Sequence, residues 1–521
     1  MRQGGQGQLR LRAVWAICLA LLLALPTAHQ LQPASCWGSY ENVRYLYEIF
    51  VNGTGYGVVK IRIVARGVGV AWITLPSKGQ YEYSVVRGRV EWGRENRTHS
   101  VFYDDVYFSF SSRDVSVVTI EYPFPYASLI IGSKAWFLSP MIRVPEGSPC
   151  VVRVVLEDAR DVIEATPAPY EQNASGFYFN LTRVGDSEIT RVLIIYRIRT
   201  PVSTAVVRGV ASGVAISVKA PVIYKSTFAR RVIETYRKAM PYLLKLFRSV
   251  KVEEVKVEFY LPGRTITTLG YVTTEDISKY IEKGTVYLNL VLTRFMKGYA
   301  EHTMVHELVH ILLGKLGVPA TNNLRWFHEG MADYVAYKVC LELGYSNVTD
   351  IRDRYLAAVE EFKRRYGERY GVVQNWAART IYRTGTFYAI SFYVIYSLGE
   401  EYGGLEYYAK VLDRLAQYRR VTGIEQVVDA LSYGAGEDLI DRFDRWGFVI
   451  ATSPRRAPYL WLVHFTLIAL ALVAVWSLFA TATRARRRVA VPDSLYRVCP
   501  HCRAALLPGV KRCPYCGAPL V

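Results

Sequence analysis

The sequence predicts a multidomain protein with an N-terminal all-β module, an α+β domain, one C-terminal transmembrane helix and a small metal-binding unit at the C-terminus. Three observations support this fold class. The chain has 521 residues, 51% hydrophobic and 21% charged, which suffices for two or three packed domains. Its apolar periodicity changes from strand-like to helical near residue 221. A long uncharged apolar stretch follows, and after it a tail with four cysteines.

The N-terminal segment has the order of a secretory signal, because three arginines precede an apolar run at residues 13–25. No good small-x-small cleavage site follows this run, so residues 1–28 are either a cleaved signal peptide or an uncleaved signal anchor. The predicted boundaries further along are 36–221 for the β-rich module, 222–450 for the α+β domain, 459–481 for the membrane helix and 482–521 for the basic tail.

The β-rich module, residues 36–221, consists of short alternating or β-branched runs such as VVKIRIVARGVGVAWITL and RVLIIYRIRT. Turn sequences such as NGTG and PEGSP separate the runs, which is typical of a sandwich or a saddle-shaped sheet. An oxidising exterior would allow a disulfide between Cys36 and Cys150, although the sequence does not fix this pairing.

The following 222–450 region begins with a helical pattern, continues with strands at VEEVKVEFYL and TVYLNLVL, and is mostly helical from residue 298 onward. A strand layer followed by a helical remainder predicts an α+β domain.

The 23 residues at 459–481 contain no Asp, Glu, Lys or Arg, and this length and purity predict a transmembrane helix; a buried core helix is the alternative. Four arginines follow the stretch and two precede it. We therefore expect a single-pass protein in the cell membrane and its lipid bilayer, with the C-terminus in the cytoplasm and the large central part outside. Glycosylation triplets are compatible with this topology and lie at Asn52, Asn96, Asn173, Asn180 and Asn347.

The segment TMVHELVHILLG carries the residues with the clearest chemistry. On a helix, His306 and His310 lie one turn apart on one face, where two imidazoles can bind one Zn²⁺. Glu307 is placed beside such a metal and can take a proton from a bound water. A catalytic zinc needs a third protein ligand and an open position, and Glu329 in RWFHEGMADY is the candidate.

The pattern HELVH, eighteen further residues, and then Glu within W-x-x-E-G-x-A resembles the gluzincin zinc metallopeptidases, the aminopeptidase N-like or peptidase MA-like family. This resemblance covers about residues 37–445, because that family places a β-rich module before a thermolysin-like α+β catalytic domain. It implies that His306, His310 and Glu329 bind a catalytic zinc. It also implies that Glu307 is the general base and later the proton donor.

Two more residues are candidates, Tyr382 through the same resemblance and Asp333 through its helical spacing to Glu329, which the resemblance shares. Tyr382, in the Y-x-x-G element YRTG, corresponds to a tyrosine that stabilises the oxyanion; a plain core or surface residue is the alternative, with Tyr388 and Tyr393 as fallback choices. Asp333, four residues after Glu329, is placed to accept a hydrogen bond from a ligand histidine and fix its tautomer. The alternative for Asp333 is a solvated charge on a helix.

One departure from the family concerns the substrate amine. Aminopeptidases of this group carry a G-x-M-E-N stretch on the strand that borders the cleft, and its Glu holds the free amine. The corresponding region is assigned to EKGTVYLNLVL, with Tyr287 at the place of that Glu. The expected specificity is therefore either that of an endopeptidase, aligning an extended peptide on the strand, or that of an atypical aminopeptidase.

The tail contains two C-x-x-C pairs, Cys499 with Cys502 and Cys513 with Cys516. Four thiolates in this spacing predict a closed structural zinc site, a zinc ribbon, with a redox role or two disulfides as the alternatives. A cytoplasmic protein partner could dock on this ribbon. The net charge is +19, and the basic residues are densest at the two termini. The sequence has no basic stripe interleaved with aromatic residues, so we expect no specific nucleic-acid partner.

The expected function is that of a zinc-dependent peptidase, a hydrolase that acts on peptides or proteins outside the membrane. It would use two zinc ions, one catalytic and one structural. The alternative is a catalytically inactive zinc-binding surface receptor or assembly factor that signals through the ribbon. His302 and His328 flank the motif without matching a ligand spacing and are interpreted as cleft-lining or structural histidines.

Overall fold

The computed structural model describes residues 43–451, 466, 469, 470 and 497–520, apart from gaps at 78, 101, 144, 146, 183–188, 267, 277–280 and 508. These residues form two compact units, which divide between Ile450 and Ala451. The predicted signal segment and Cys36 lie outside the described residues. The disulfide between Cys36 and Cys150 and the domain boundaries therefore stay predictions.

The first unit begins with a β-rich region. Its strands are β1 (Val43–Val51), β2 (Gly57–Arg66), β3 (Gly69–Pro76), β4 (Glu82–Arg87), β5 (Val90–Ser100), β6 (Tyr103–Phe110), β7 (Val115–Phe124), β8 (Ser128–Leu138), β9 (Ile142–Arg143), β10 (Cys150–Leu156), β11 (Ala159–Thr166), β12 (Glu171–Asn173), β13 (Gly176–Asn180), β14 (Ile189–Thr190) and β15 (Leu193–Val202). Seven of them form the sheet β12-β13-β10-β1-β2-β7-β4, beside the smaller sheets β11-β15-β8, β3-β6-β5 and β14-β9. Alternating buried and exposed positions, as in β1 and β2, turn one face of each strand to a shared core.

A second sheet follows, made of β16 (Thr204–Ala211), β17 (Val214–Pro221), β18 (Glu254–Tyr260), β19 (Gly270–Asp276) and β20 (Ile281–Asn289). The order of this five-stranded sheet is β16-β17-β18-β20-β19. The pairs β17 with β18 and β18 with β20 are parallel, whereas β19 runs antiparallel to β20. In the described part of the chain, β19 is therefore an edge strand.

The helices of the first unit are α1 (Arg230–Leu246), α2 (Tyr299–Leu316), α3 (Arg325–Glu342), α4 (Thr349–Tyr366), α5 (Arg379–Tyr382), α6 (Thr384–Tyr402), α7 (Leu405–Leu415), α8 (Ile424–Ala435) and α9 (Ile440–Arg445). Helix α2 packs on β20 and β19 and against α3, and α3 packs against α6. One apolar core runs through these helices and the five-stranded sheet.

Arg294 ties the β-rich region to the helices. Its side chain is half-buried, and the guanidinium donates hydrogen bonds to the backbone carbonyls of Tyr126, Ala127 and Leu138. The same group lies 5.3 Å from the ring centre of Trp136. Burial lowers the pKa of Arg294 to about 10, so the group still carries its charge at neutral pH.

The structure corrects the predicted fold class and the localisation derived from it. Among the residues that the structure describes, no helix is both long enough and apolar enough to cross a bilayer, which takes about 20 apolar residues. The predicted helix at 459–481 lies almost wholly outside the described residues, since 466, 469 and 470 are the described ones. The predicted fold class, a thermolysin-like domain followed by a transmembrane helix, is therefore wrong about the transmembrane helix. The predicted location as a single-pass membrane protein is wrong for the same reason. The described architecture is a β-rich region, a largely helical domain and a C-terminal ribbon.

Candidate metal centre

Helix α2 holds the HELVH motif in the interior of the first unit. Every one of its eighteen residues except Lys315 is buried, so the helix is surrounded by protein on all sides. Its N-terminus is fixed because Glu301 accepts a hydrogen bond from the Gly298 N–H at 2.6 Å and pairs with Arg231 at 2.6 Å. Gly317, with φ of 91°, ends the helix in the left-handed conformation that favours glycine.

Helix α3 brings Glu329 to the two histidines. The Nε2 atoms of His306 and His310 are 3.0 Å apart, and Oε2 of Glu329 lies 3.3 and 3.4 Å from them. Tetrahedral ligands with bonds of about 2.0–2.1 Å are separated by about 3.3 Å, so this triangle has the size that one zinc ion requires. The three ligand atoms form a candidate metal site whose residues are all buried.

Asp333 fixes the tautomer of the first histidine. Its Oδ1 lies 2.7 Å from Nδ1 of His306, and a carboxylate accepts, so the proton of the imidazole is on Nδ1. When Nε2 carries no proton, its lone pair points to His310 and Glu329. The alternative of a solvated helix charge does not hold for Asp333, whose residue is 3% exposed.

His328 is placed to do the same for the second histidine, through a contact that the sequence reasoning missed. The rings of His310 and His328 are stacked with centres 4.8 Å apart, and their Nδ1 atoms are 2.6 Å apart. For Nε2 of His310 to carry a lone pair, its Nδ1–H must donate to Nδ1 of His328. The interpretation of His328 as a structural histidine was therefore incomplete. No spacing rule marks it, because the contact joins two helices.

Arg325 is a second residue that the sequence reasoning missed. Its Nε donates to Oε1 of Glu329 at 2.6 Å, one helical turn along α3. The i, i+4 spacing of Arg and Glu in RWFHE was a readable signal for this pair. Burial alone would raise the pKa of Glu329, but Arg325 and the two histidines hold it well below its ordinary value. The carboxylate is therefore ionised at neutral pH.

The carboxylates around His306 act on its protonation as well. Burial alone would lower the pKa of His306, whereas Asp333, Glu329 and Glu307 raise it well above its ordinary value. The centre thus attracts positive charge strongly, and a proton and a metal ion would compete for it.

Glu307 lies beside an edge strand. It is fully buried, and a Cβ added to Gly270 at the start of β19 would lie 2.7 Å from its Cγ and its Oε1. Glycine at this position therefore leaves the room that the carboxylate occupies. This contact places β19 at the centre. Tyr287 belongs to β20, which has β18 on one side and β19 on the other, so β19 and not β20 is the edge strand of this sheet in the described residues. The assignment of Tyr287 to the place of the family's glutamate stays a prediction.

A cavity of about 420 Å³ adjoins the centre and is lined by His302, His306, Asp333 and Tyr382 among others. The Tyr382 ring is half-buried and contacts Phe362. The fallback tyrosines pack elsewhere, since the Tyr388 ring meets Trp376 and the Tyr393 ring meets Tyr370. Of these three tyrosines, Tyr382 alone lines the cavity that His306 lines. Its role as an oxyanion partner stays a prediction.

His302 precedes His306 by one turn of α2 and also faces this cavity. Its Nε2 is buried and has no hydrogen-bond partner within the described part of the chain. Burial lowers the pKa of His302 to about 4, so its imidazole is neutral at physiological pH. The interpretation as a cleft-lining residue agrees with this position.

The second unit contains a separate cysteine site. Sγ of Cys499 lies 3.7 Å from Sγ of Cys516, and Sγ of Cys502 lies 3.6 Å from Sγ of Cys513. Zn–S bonds of about 2.3 Å in a tetrahedron separate the sulfurs by about 3.8 Å, so the four thiols fit one zinc ion. The backbone N–H of Cys502 lowers the pKa of the Cys499 thiol to about 6, whereas the pKa values of Cys502 and Cys516 are raised despite the backbone N–H groups of Ala504 and Ala518. Cys499 is therefore the first of these three thiols to become the thiolate that zinc binds.

The two cysteine pairs sit on equivalent turns. Arg503 donates its N–H to the Cys499 carbonyl at 2.9 Å, as Gly517 does to Cys513. Both residues have positive φ, 57° for Arg503 and 72° for Gly517. Strands β21 (Arg497–Val498) and β22 (Ala505–Leu506) pair next to the first turn.

Comparison with known proteins agrees with this second site. Residues 498–520 match the zinc-ribbon domain family, so the C-terminal unit carries a zinc ribbon and the four cysteines support a structural zinc. No curated protein matches the chain. Among solved structures, the chain is similar to an aminopeptidase N family protein from Idiomarina loihiensis, with 14% identity over 77% of this chain and 75% of that one. The TM-score of that match is 0.35, and a likeness of this degree carries no argument about activity.

Proposed function

We propose that the protein is a zinc-dependent peptidase, a hydrolase that cleaves peptide bonds at the centre formed by α2 and α3. The observation that carries this proposal is the triangle of His306, His310 and Glu329, whose ligand atoms are 3.0–3.4 Å apart beside the Glu307 carboxylate. Two imidazoles and one carboxylate are the donor set of a catalytic zinc that keeps an open position.

The charge of the buried centre supports a divalent cation. Glu307, Glu329 and Asp333 place three carboxylates around the two imidazoles, and Arg325 supplies one positive charge. Buried charge without compensation is costly, and a doubly charged metal ion balances the remaining excess. A zinc ion held by His306, His310 and Glu329 would supply a Lewis acid that polarises the substrate carbonyl and lowers the pKa of water.

In the proposed reaction Glu307 would transfer the protons, while other side chains would orient the histidines and stabilise the oxyanion. Glu307 takes a proton from the attacking water and delivers it to the nitrogen of the departing amine. Asp333 and His328 hold the imidazoles of His306 and His310 in the tautomers described above. Tyr382 donates its hydroxyl hydrogen to the oxygen that becomes negative during the attack.

The edge strand β19 supports an extended peptide as the substrate. An edge strand presents unpaired backbone groups, and a peptide can add to it as a further strand. Since Gly270 of β19 lies against Glu307, a peptide aligned on this edge would pass the proposed base. The backbone of β19 can hold a peptide at any internal position, which favours an endopeptidase over an enzyme limited to the N-terminal residue.

The experiment is cleavage of a broad library of quenched fluorescent peptides by the purified full chain, with and without a zinc chelator. Glu307→Gln should keep the zinc content and lose at least 100-fold in kcat, because the proton acceptor is removed. Glu360→Gln is the matched control, since Glu360 is an exposed residue of α4, and its activity should equal that of the parent protein.

Peptides with free and acetylated N-termini would separate the two modes of cleavage. Equal rates support an endopeptidase, and loss of cleavage on acetylation supports an aminopeptidase. If the parent protein binds zinc at both sites and cleaves no peptide, the peptidase proposal is wrong. The inactive zinc-binding receptor or assembly factor is then the better interpretation.

A further inference from the structure

The cavity beside the metal centre is lined by apolar side chains and by the guanidinium of Arg354, which lacks a hydrogen-bond acceptor at one buried nitrogen among the described residues. Apolar side chains from several elements line it, including Leu269, Phe295 and Ile351. Arg354 of α4 lines the same space, and its Nη1 is buried without a hydrogen-bond partner among the residues that the structure describes. A guanidinium that lacks an acceptor at a buried hydrogen is poorly compensated, and a carboxylate within the cavity would offset its charge.

Four other charged side chains line the cavity, namely Asp333, Glu361, Arg365 and Arg383. Asp333 accepts from His306 at 2.7 Å, and Arg383 is an exposed second cation. Arg365 pairs with Glu361 at 2.5 Å, one turn apart on α4. The pair removes Glu361, the acidic group of α4 that faces the cavity, as a partner for Arg354. The cavity therefore presents an apolar surface with excess positive charge at Arg354, which is complementary to a group with a carboxylate next to apolar atoms.

The position of Arg354 gives an approximate distance from the cavity to the metal centre, where the substrate bond would react. Arg354 lies one turn after Asp350, which accepts a hydrogen bond from Tyr299 at 2.5 Å. Tyr299 and Arg354 both line the cavity, so the guanidinium faces the same space as this residue of α2. Tyr299 and His306 are seven residues apart on α2, about 10 Å along its axis.

We propose that Arg354 binds a carboxylate of the substrate, and that the cavity accepts the apolar part of the residue that carries it. This inference rests on the proposed peptidase function and names its substrate class. An extended peptide advances about 3.3 Å per residue, so the carboxylate belongs to a residue within about three positions of the reacting bond. The source of the carboxylate is either the C-terminus of a short peptide or an acidic side chain.

The test measures binding separately from cleavage. Calorimetry measures the affinity of the Glu307→Gln protein for three N-acetylated peptides. The first has a free C-terminus and the second an amidated C-terminus. The third is also amidated and has Asp in place of an Asn in the middle of the peptide. We expect about tenfold to a hundredfold tighter binding of a carboxylate version than of its neutral counterpart, the range of a charge-assisted hydrogen bond. Arg354→Gln should abolish that preference, and Arg354→Lys should keep part of it.

Arg364→Gln is the matched control, because Arg364 is an exposed residue of the same helix that does not line the cavity. The preference should survive this loss of one positive charge from α4. Which carboxylate loses its advantage in Arg354→Gln identifies the source. If the parent background binds acidic and neutral peptides equally, or if the preference persists in Arg354→Gln, the inference is overturned. Binding with the expected preference but no cleavage by the protein with intact Glu307 would reject the peptidase and keep the carboxylate site.

Discussion

Arg325 donates to one oxygen of Glu329 at 2.6 Å, and the other oxygen of the same carboxylate faces the ring nitrogens of His306 and His310. The two oxygens thus have separate tasks. The first fixes the rotation of the carboxylate, and the second is left as a metal ligand. Because Arg325 and Glu329 are one turn apart on α3, the orientation is set within a single helix.

Loss of this orientation should weaken metal binding without abolishing it. We expect Arg325→Gln to lower the zinc affinity of the centre by about tenfold to a hundredfold, as is common when a partner of a metal ligand is removed. Competition with a chromophoric chelator measures this affinity. Lys315→Gln, at the exposed position of α2, should leave it unchanged. An unaltered affinity in Arg325→Gln would mean that the carboxylate is held by other contacts.

Gly270 gives a test of the position of Glu307. In Gly270→Ala the added methyl group would meet the Glu307 carboxylate at 2.7 Å and displace it. Since a shift of about 1 Å in a catalytic group costs on the order of 100-fold, we expect kcat to fall by about tenfold to a hundredfold. Zinc content, measured by mass spectrometry, should stay the same. Gly69→Ala is the matched control, since a Cβ at Gly69 meets no atom within 4 Å. Retention of full kcat in Gly270→Ala would count against Glu307 as the base.

How much of this centre could be read from the sequence differs from residue to residue. His306, Glu307 and His310 follow from helical spacing, Glu329 from the need for a third ligand together with a resemblance, and Asp333 from its spacing to Glu329. The structure brings their side chains together, while their roles stay predictions. His328 could not be found, because its contact with His310 depends on how α3 packs on α2. The edge position of β19 was missed for a related reason, since strand order is not a local property of the sequence.

The C-terminal part of the chain, from residue 459 onward, gave one correct prediction and one wrong one. The spacing of the four cysteines predicted the ribbon correctly, because thiolate pairs with short spacing have few other uses. The apolar stretch before it predicted a membrane helix from length and composition alone. Neither property states which structure the stretch adopts, and no described helix meets the requirement for spanning a bilayer.

The pair of Glu301 and Arg231 should make stability depend on pH. Burial alone would raise the pKa of Glu301, but Arg231 and the Gly298 N–H lower it below its ordinary value. The stabilisation is therefore present above the unfolded pKa of about 4.3 and is lost as pH falls through the lower folded value. We expect Glu301→Gln to lower the free energy of unfolding by about 2–3 kcal/mol at pH 7, because it removes the carboxylate that balances the Arg231 charge and leaves Arg231 only the carbonyls of Phe295 and Met296.

Chemical denaturation of the parent protein and the variant at several pH values measures this difference, which should shrink below about pH 4. Glu234→Gln is the control, because Glu234 pairs with Arg237 on the surface of α1. Such exposed pairs contribute little, so this variant should differ by less than about 0.5 kcal/mol. A difference for Glu301→Gln that is constant from pH 7 to pH 3 would contradict the linkage.

The ribbon offers a prediction in the stabilising direction. Arg503 has φ of 57°, a conformation that costs a residue with a Cβ about 1 kcal/mol, whereas Gly517 occupies the equivalent turn without that cost. We expect Arg503→Gly to slow the removal of zinc by a chelator, since metal binding and folding of so small a unit are coupled. Arg497→Gly, on β21, should bring no such gain. Faster zinc loss in Arg503→Gly would show that the arginine side chain stabilises the turn in another way.

The pairing of β17 with β18 limits which fragments of the chain can fold on their own. A recombinant fragment that starts at residue 222 would uncover the hydrogen-bonding edge of β18, and an open edge of this kind promotes aggregation. A fragment that starts near residue 203 keeps that sheet but leaves the Arg294 guanidinium without its three carbonyl acceptors. The two regions therefore behave as parts of one folding unit. Exchanging the β-rich region for that of another protein would require those three carbonyls to be supplied again.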